Sequence, residues 1–250
     1  LQGRFANRPY LDSWLGAEQG LTRGDSRERF PGYGGSGDRG WRKCEKELFM
    51  KVVVIFASPR PRGNSAALAR RAVERLREGG AAVDLVSLNE RNFRGCQGCL
   101  LCKTQRDRCG LEDDLTPVLE AVRAADALVL ATPVYWMDVA AQLKTFIDRT
   151  YSFLVPDYLT NPNSSRLGRG RKALFILVQG GPEPYPVFPR YREVLRWLGF
   201  TETRLVHALA VRHPGDLEGR DDLFQAVEEG ADWLLARKSS PSPDALRSQI

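Results

Sequence analysis

The chain has 250 residues, enough for one large domain or two small ones, and its 42% hydrophobic and 27% charged content is ordinary for a globular protein. No apolar run approaches the length needed to span a bilayer, so no membrane role is expected. The formal charge of +6 comes mostly from arginines spread along the chain; the basic spots at 166–172 and 70–77 are short and accompany no nucleic-acid module. They read as a solvated basic surface that attracts anionic cofactors, and no nucleic-acid partner is expected.

Residues 1–49 contain no Val, no Ile and nine Gly. Such a segment buries little apolar surface against its ordering entropy and reads as a poorly structured extension. It lacks the apolar stretch of a secretory signal. Its Gly32-Tyr33-Gly34-Gly35-Ser36-Gly37 satisfies G-x-G-x-x-G, but neither a strand before it nor a helix after it supports a dinucleotide site. Cys44 belongs to this leader and is not expected to be a ligand.

From Met50 the grammar changes. Val52–Phe56 is an apolar run of the kind buried on both faces of a parallel sheet, and Asn64–Arg77 follows with helical spacing. Between them lies Ala57-Ser58-Pro59-Arg60-Pro61-Arg62-Gly63-Asn64-Ser65, leaving a strand and entering a helix. A helix N-terminus offers unpaired N–H groups and a positive dipole, which suits a phosphate. Ser58 and Ser65 add hydroxyls, Asn64 can cap, and Arg60 and Arg62 add charge. No G-K-[ST] follows, so this is not a Walker loop.

A second strand is expected over 82–88, and then comes Cys96, Cys99, Cys102 and Cys109 in the spacing C-x2-C-x2-C-x6-C. Four thiolates that close can surround one soft metal centre, and a 4Fe-4S cluster suits the crowding of three of them. Zinc fits less well, since it usually takes two separated pairs. Reduced thiols that serve only packing or redox buffering are the serious rival. Disulfides need an oxidising compartment, and nothing addresses the chain to one; a cytoplasmic location is expected.

Asp113 or Asp114 can cap a helix through Ala124, and Ala127–Ala131 is a third strand. Thr132-Pro133-Val134-Tyr135-Trp136-Met137 follows it, an aromatic pair able to flank a planar ring. A helix over 140–151, a long segment 152–172 able to shape a substrate pocket, a fourth strand over 173–179, a helix over 191–198, a fifth strand over 205–211 and a helix over 221–235 complete the pattern. Gln179-Gly180-Gly181, after the fourth strand, allows close backbone approach to a ligand. Strand and helix alternating end to end argue a doubly wound α/β fold, with five parallel strands in the order 2-1-3-4-5 and helices on both faces. Its domain would run over 50–238 with a cysteine loop at 94–112, leaving 239–250 as a tail. His207 and His213 read as structural, and Lys144 and Arg149 as an exposed charged helix face.

Three stretches carry a family likeness: Ser58-Pro-Arg-x-x-Gly-Asn-Ser, the cysteine run ending in Asp113-Asp114, and Thr132-Pro-Val-Tyr-Trp followed by Gln142-Leu-Lys-x-Phe-Ile-Asp-Arg149. In combination they resemble the NAD(P)H-dependent FMN reductase-like flavoproteins, and the cysteine motif most resembles the iron–sulfur flavoproteins among them. The likeness covers roughly 50–237, including the turn Arg212–Asp216. It implies a flavodoxin-like fold, bound FMN, a nearby cluster and a homo-oligomer, dimeric or tetrameric. By position, Ser58, Arg60, Asn64 and Ser65 would hold the phosphate, with Arg62 beside them. Pro133, Val134, Tyr135 and Trp136 would line the ring system, with Gly180 and Gly181 beneath it and Gln179 adjoining; Cys96, Cys99, Cys102 and Cys109 would hold the cluster. Met137-Asp138-Val139-Ala140 departs from the small Gly/Ser-rich turn common in that family. The implied activity is electron transfer between a donor such as NAD(P)H or a redox protein and an acceptor. A cluster-free NAD(P)H-dependent FMN or quinone reductase, and a flavodoxin-type carrier, are the alternatives.

Overall fold

A computed structural model describes residues 49–236. The leader, its glycine motif, Cys44 and the tail therefore lie outside the described residues, except for the segment's last residue, Phe49. Five strands run parallel: β1 (Lys51–Phe56), β2 (Ala82–Ser87), β3 (Ala127–Tyr135), β5 (Lys172–Val178) and β6 (Glu202–Ala208). Their spatial order is β2-β1-β3-β5-β6. This is the expected 2-1-3-4-5 once a short antiparallel strand, β4 (Asp138–Val139), is set aside as an addition to β3.

The sheet is covered on both faces because its apolar strands present both faces to helices. In β1, Val53 and Ile55 enter one core with Leu128, Leu130 and Phe175, while Val52, Val54 and Phe56 enter the other with Val129 and Ile176. This is the period-two alternation of a strand buried on both sides. Helices α1 (Asn64–Glu78) and α6 (Asp221–Leu235) close the second core, and α3 (Thr116–Ala124), α4 (Ala141–Arg149) and α5 (Phe188–Trp197) close the first. A one-turn α2 (Leu101–Thr104) sits inside the cysteine loop. Pairs Arg71–Glu228 at 2.6 Å and Arg75–Asp232 at 2.7 Å stitch α1 to α6 across exposed surface, where such pairs contribute little. Among the described residues, no helix is long and apolar enough to cross a membrane.

Helix α5 begins at Phe188, three residues before the expected 191, and two strands also differ from the sequence expectation. The last strand begins at Glu202 and ends at Ala208, three residues earlier than 205–211. Its polar first half, Glu202-Thr203-Arg204, pairs with Lys172-Ala173-Leu174 at a sheet edge, where side chains face water and apolar runs no longer mark the strand. The third strand extends through Tyr135, since Val134 and Tyr135 pair back onto Val139 and Asp138. Trp136 and Met137 then form a two-residue turn with φ of 49° and 66°, the left-handed pair that tight hairpins use.

The turn after α5 admits only glycine. Gly199 has φ of 99°, and a Cβ there would lie 1.9 Å from the carbonyl oxygen of Gly168. Gly199→Ala is expected to cost more than the ~1–2 kcal/mol of left-handed backbone alone, because a backbone carbonyl must also move. Urea unfolding measures this; an unchanged midpoint would disprove the close approach.

Candidate functional site

The loops leaving the carboxyl ends of β1 and β3 diverge, since β1 is next connected to β2 and β3 to β5. Ligands bind in the crevice such a switch point leaves. A cavity of about 280 Å³ lies there, lined by Ser58, Arg60, Gly63, Asn64 and Ser65 on one side, Pro133, Val134 and Tyr135 on another, and Val178, Gly180, Val211, Arg212 and Pro214 on the third. Eight of the twelve expected cofactor residues thus meet in one cavity; Arg62, Trp136, Gln179 and Gly181 do not line it.

Each wall has a local cause. Ser58 is buried and its Oγ accepts the Arg60 N–H at 3.1 Å, so its own O–H is left to donate. The N-cap of α1 is Gly63 rather than Asn64, and the first turn holds no acidic side chain. The dipole and the outward N–H groups there face no built-in anion. Asn64, freed from capping, donates its Nδ2 to the carbonyl of His213 at 2.9 Å, joining this loop to the turn after β6. That turn is fastened by Asp216, whose Oδ2 accepts the N–H groups of Arg212 and His213, both at 2.7 Å. These N–H bonds hold the Asp216 carboxyl below the usual range. A Cβ on Gly180 would meet Arg212 Nε at 3.3 Å, so glycine lets the arginine lie close over the strand end.

Gln179 braces instead of lining. It is buried; its Oε1 accepts the Tyr185 N–H at 3.1 Å and meets His207 Nε2 at 3.2 Å, while its Nε2 donates to Gly181 O at 3.2 Å and Glu183 O at 2.5 Å. Burial lowers the pKa of His207, which lies on β6 beside Gln179. Trp136 sits at the hairpin tip and is 95% exposed. The hairpin itself is anchored where Asp138 accepts the Tyr191 hydroxyl at 2.9 Å; burial, and then this contact, raises the phenol's pKa.

The cysteine loop forms a second cavity of about 100 Å³, and all four of Cys96, Cys99, Cys102 and Cys109 line it, together with Leu100, Leu111, Arg149 and Tyr151. Cys96 and Cys99 are exposed, Cys102 is buried and Cys109 is half-buried. Gly98 and Leu100 take φ of 62° and 56°, which bends the chain around the cavity between successive cysteines. Among the described residues, no three His, Cys, Asp or Glu side chains converge as ligands of a single metal ion. Burial pushes the Cys102 thiol up, opposed by the adjacent Lys103.

Three cations face this loop. Lys103 Nζ donates to the carbonyls of Tyr151 at 2.7 Å and Leu154 at 2.6 Å, 4.0 Å from the centre of the Tyr151 ring. Arg166 donates to the carbonyls of Cys102 at 3.3 Å and Leu154. Arg149 overturns the expectation of an exposed charged face. Lys144 is exposed and paired with Asp148, but Arg149 is only 1% exposed, because the last turn of α4 rotates it under the cysteine loop. Its Nη1 donates to Asp113 Oδ2 at 2.7 Å and Arg94 O at 2.8 Å, its Nη2 to Asp113 Oδ1 at 3.2 Å and Leu111 O at 3.3 Å, and its Nε to Cys109 Sγ at 3.0 Å. Burial works against the Asp113 carboxylate, but Arg149 and the Arg94 N–H outweigh it and hold its pKa below the usual range.

Of the segment 152–172, Ser152 lines this second cavity and no residue lines the first. Tyr158 meets Tyr151 and Trp197 edge-on, and Phe153 is buried. Arg212 and Pro214 of the larger cavity were not named as site residues from the sequence; only their place in a Pro-Gly turn after a strand end pointed to them.

Residues 50–201 match the family model described as NADPH-dependent FMN reductase. An iron–sulfur flavoprotein of Archaeoglobus fulgidus is 38% identical over 205 residues, covering 80% of this chain and 88% of the relative. An iron–sulfur flavoprotein of Methanocaldococcus jannaschii is 37% identical over 112 residues, 45% of this chain and 58% of that protein's length. Among solved structures, an FMN-dependent NADH-azoreductase of Bacillus anthracis superposes with a TM-score of 0.58 at 19% identity, covering 74% of this chain and all of the other, a likeness of fold. The chain therefore belongs to the NADPH-dependent FMN reductase family of flavin-dependent oxidoreductases.

Proposed function

We propose that residues 50–238 form an FMN-dependent oxidoreductase domain that passes electrons between a reduced donor, NAD(P)H or a redox protein, and an acceptor, with a 4Fe-4S cluster as a second redox centre. The observation that carries the reading is the larger cavity, where a helix N-terminus without acidic residues, two serines and Arg60 stand at one end and Pro133, Val134 and Tyr135 at the other. Ser58 and Ser65 would donate to the phosphate oxygens, Arg60 would supply charge, and the β3 end would lie along the ring system. Bound FMN would supply hydride acceptance and one-electron release, and the protein's share is position and field.

The cysteine cavity fits a cluster by its donor set. Four thiols line one small space, and Lys103, Arg149 and Arg166 bring positive charge toward a group that four thiolates would make negative. A cluster would supply one-electron exchange. We further infer a homo-oligomer: Trp136, 95% exposed, and Met137, 59% exposed, leave apolar surface beside the larger cavity that a second subunit could cover.

Binding of FMN and riboflavin to Arg60→Ala tests the cavity. Loss of a charge-assisted contact is expected to weaken FMN about tenfold or more and leave riboflavin almost unchanged, since only FMN has the phosphate. Equal losses for both flavins would reject this loop as the phosphate site.

A further inference from the structure

We propose that Arg149 is a positioning residue for the proposed cluster, setting the reduction potential through its hydrogen bond to Cys109. The inference rests on the cluster reading above. All five N–H groups of a guanidinium are committed here: one to Cys109 Sγ at 3.0 Å, and four to Asp113, Arg94 O and Leu111 O. The side chain has no exposure to solvent. With so many fixed partners the fork cannot rotate, so the Nε–H is aimed at the sulfur before any ligand arrives. A donor held in this way stabilises negative charge on Cys109, and reduction adds negative charge to the centre that this sulfur would ligate. Hydrogen bonds to ligand sulfurs are a recognised lever on cluster potentials.

The arrangement also differs from a plain structural ion pair. Asp113 neutralises the guanidinium from the side away from the sulfur, through both of its oxygens, and leaves Nε alone for Cys109. The same fork ties Arg94, before the first cysteine, to Leu111 and Asp113, after the last. The cation thus holds both ends of the loop and one of its sulfurs at once. A lysine at this position keeps the charge but cannot serve all of these acceptors or present a fixed N–H to Cys109.

The test is anaerobic purification of the wild type, Arg149→Lys and Arg149→Gln, with iron, sulfide and flavin content followed by a redox titration. The variants that retain iron are expected to favour the oxidised cluster about tenfold more, a midpoint 59 mV more negative for a one-electron couple. FMN content and the flavin midpoint should not move. Full iron with an unshifted cluster midpoint overturns the inference and leaves the cluster reading standing. Absence of iron and sulfide from the wild type overturns the cluster reading and this inference with it. Where the variants fail to fold or to hold iron, reduced wild-type protein carrying ¹⁵N-arginine decides the matter. Electron–nuclear double resonance is expected to show a ¹⁵N coupling, and its absence overturns the proposal.

Discussion

Single replacement of Cys96, Cys99, Cys102 or Cys109 by serine is expected to remove most of the iron and labile sulfide from anaerobically purified protein. The four sulfurs line one cavity of about 100 Å³ and come from one short loop, so no other thiol among the described residues can substitute. Losing one ligand opens one corner of a cluster to solvent and oxidation. The loss should not be equal in its side effects. Cys102 is the buried residue of α2, so its serine variant is expected to lose some stability too, while Cys96 and Cys99 are exposed and should lose metal alone. FMN should largely survive in all four, because no cysteine lines the larger cavity. Cys44→Ser is expected to leave iron unchanged. Iron, sulfide and flavin stoichiometry provides the measurement. Full flavin with no iron in the wild type would reject the cluster and favour a cluster-free reductase with reduced thiols.

Asp113→Asn is expected to be the most destabilising of the conservative changes near the site. Arg149 is buried, and removing the carboxylate leaves a guanidinium in the interior without its counter-charge, a change that costs about 3–5 kcal/mol. For a domain of this size the melting temperature should fall by roughly 6–20 °C. Asparagine keeps the shape and one acceptor oxygen, so the loss reports the charge. The pH dependence has a defined sign. The folded carboxyl sits below its unfolded value, so its stabilisation is complete above about pH 4 and is lost as pH falls through the folded value. The difference between wild type and variant should therefore be full at neutral pH and shrink in acid. Equal melting temperatures at pH 7 would show that the pair contributes nothing.

The parallel strands β1, β3 and β5 were legible because burial on both faces writes a continuous apolar run, as in Val52–Phe56 and Ala173–Val178. Helix α1 was legible to within a residue, since its apolar spacing and the glycine before it are both local signals. The edge strand β6 was misplaced because an edge presents polar residues to water and loses that pattern. Most of the candidate cofactor loop residues could be named from their position after strand ends, which the switch-point rule supplies without coordinates.

Spacing along the chain was enough for the local chemistries: four thiols in one loop, two serines and an arginine at a helix start, an aromatic pair at a strand end. Those depend on neighbours along the chain. Which side chains meet across the fold follows from packing between distant segments. Arg149 has the same local spacing as any exposed cation on an amphipathic helix, yet it lies 40 residues from Cys109 and 36 from Asp113 in sequence, and only the packing of α4 against the cysteine loop turns it inward. Trp136 moved the other way, to the tip of a hairpin created by the pairing of Val134 with Val139. Burial is a property of the whole fold, and so the fate of an arginine or a tryptophan was settled by contacts that sequence spacing does not encode.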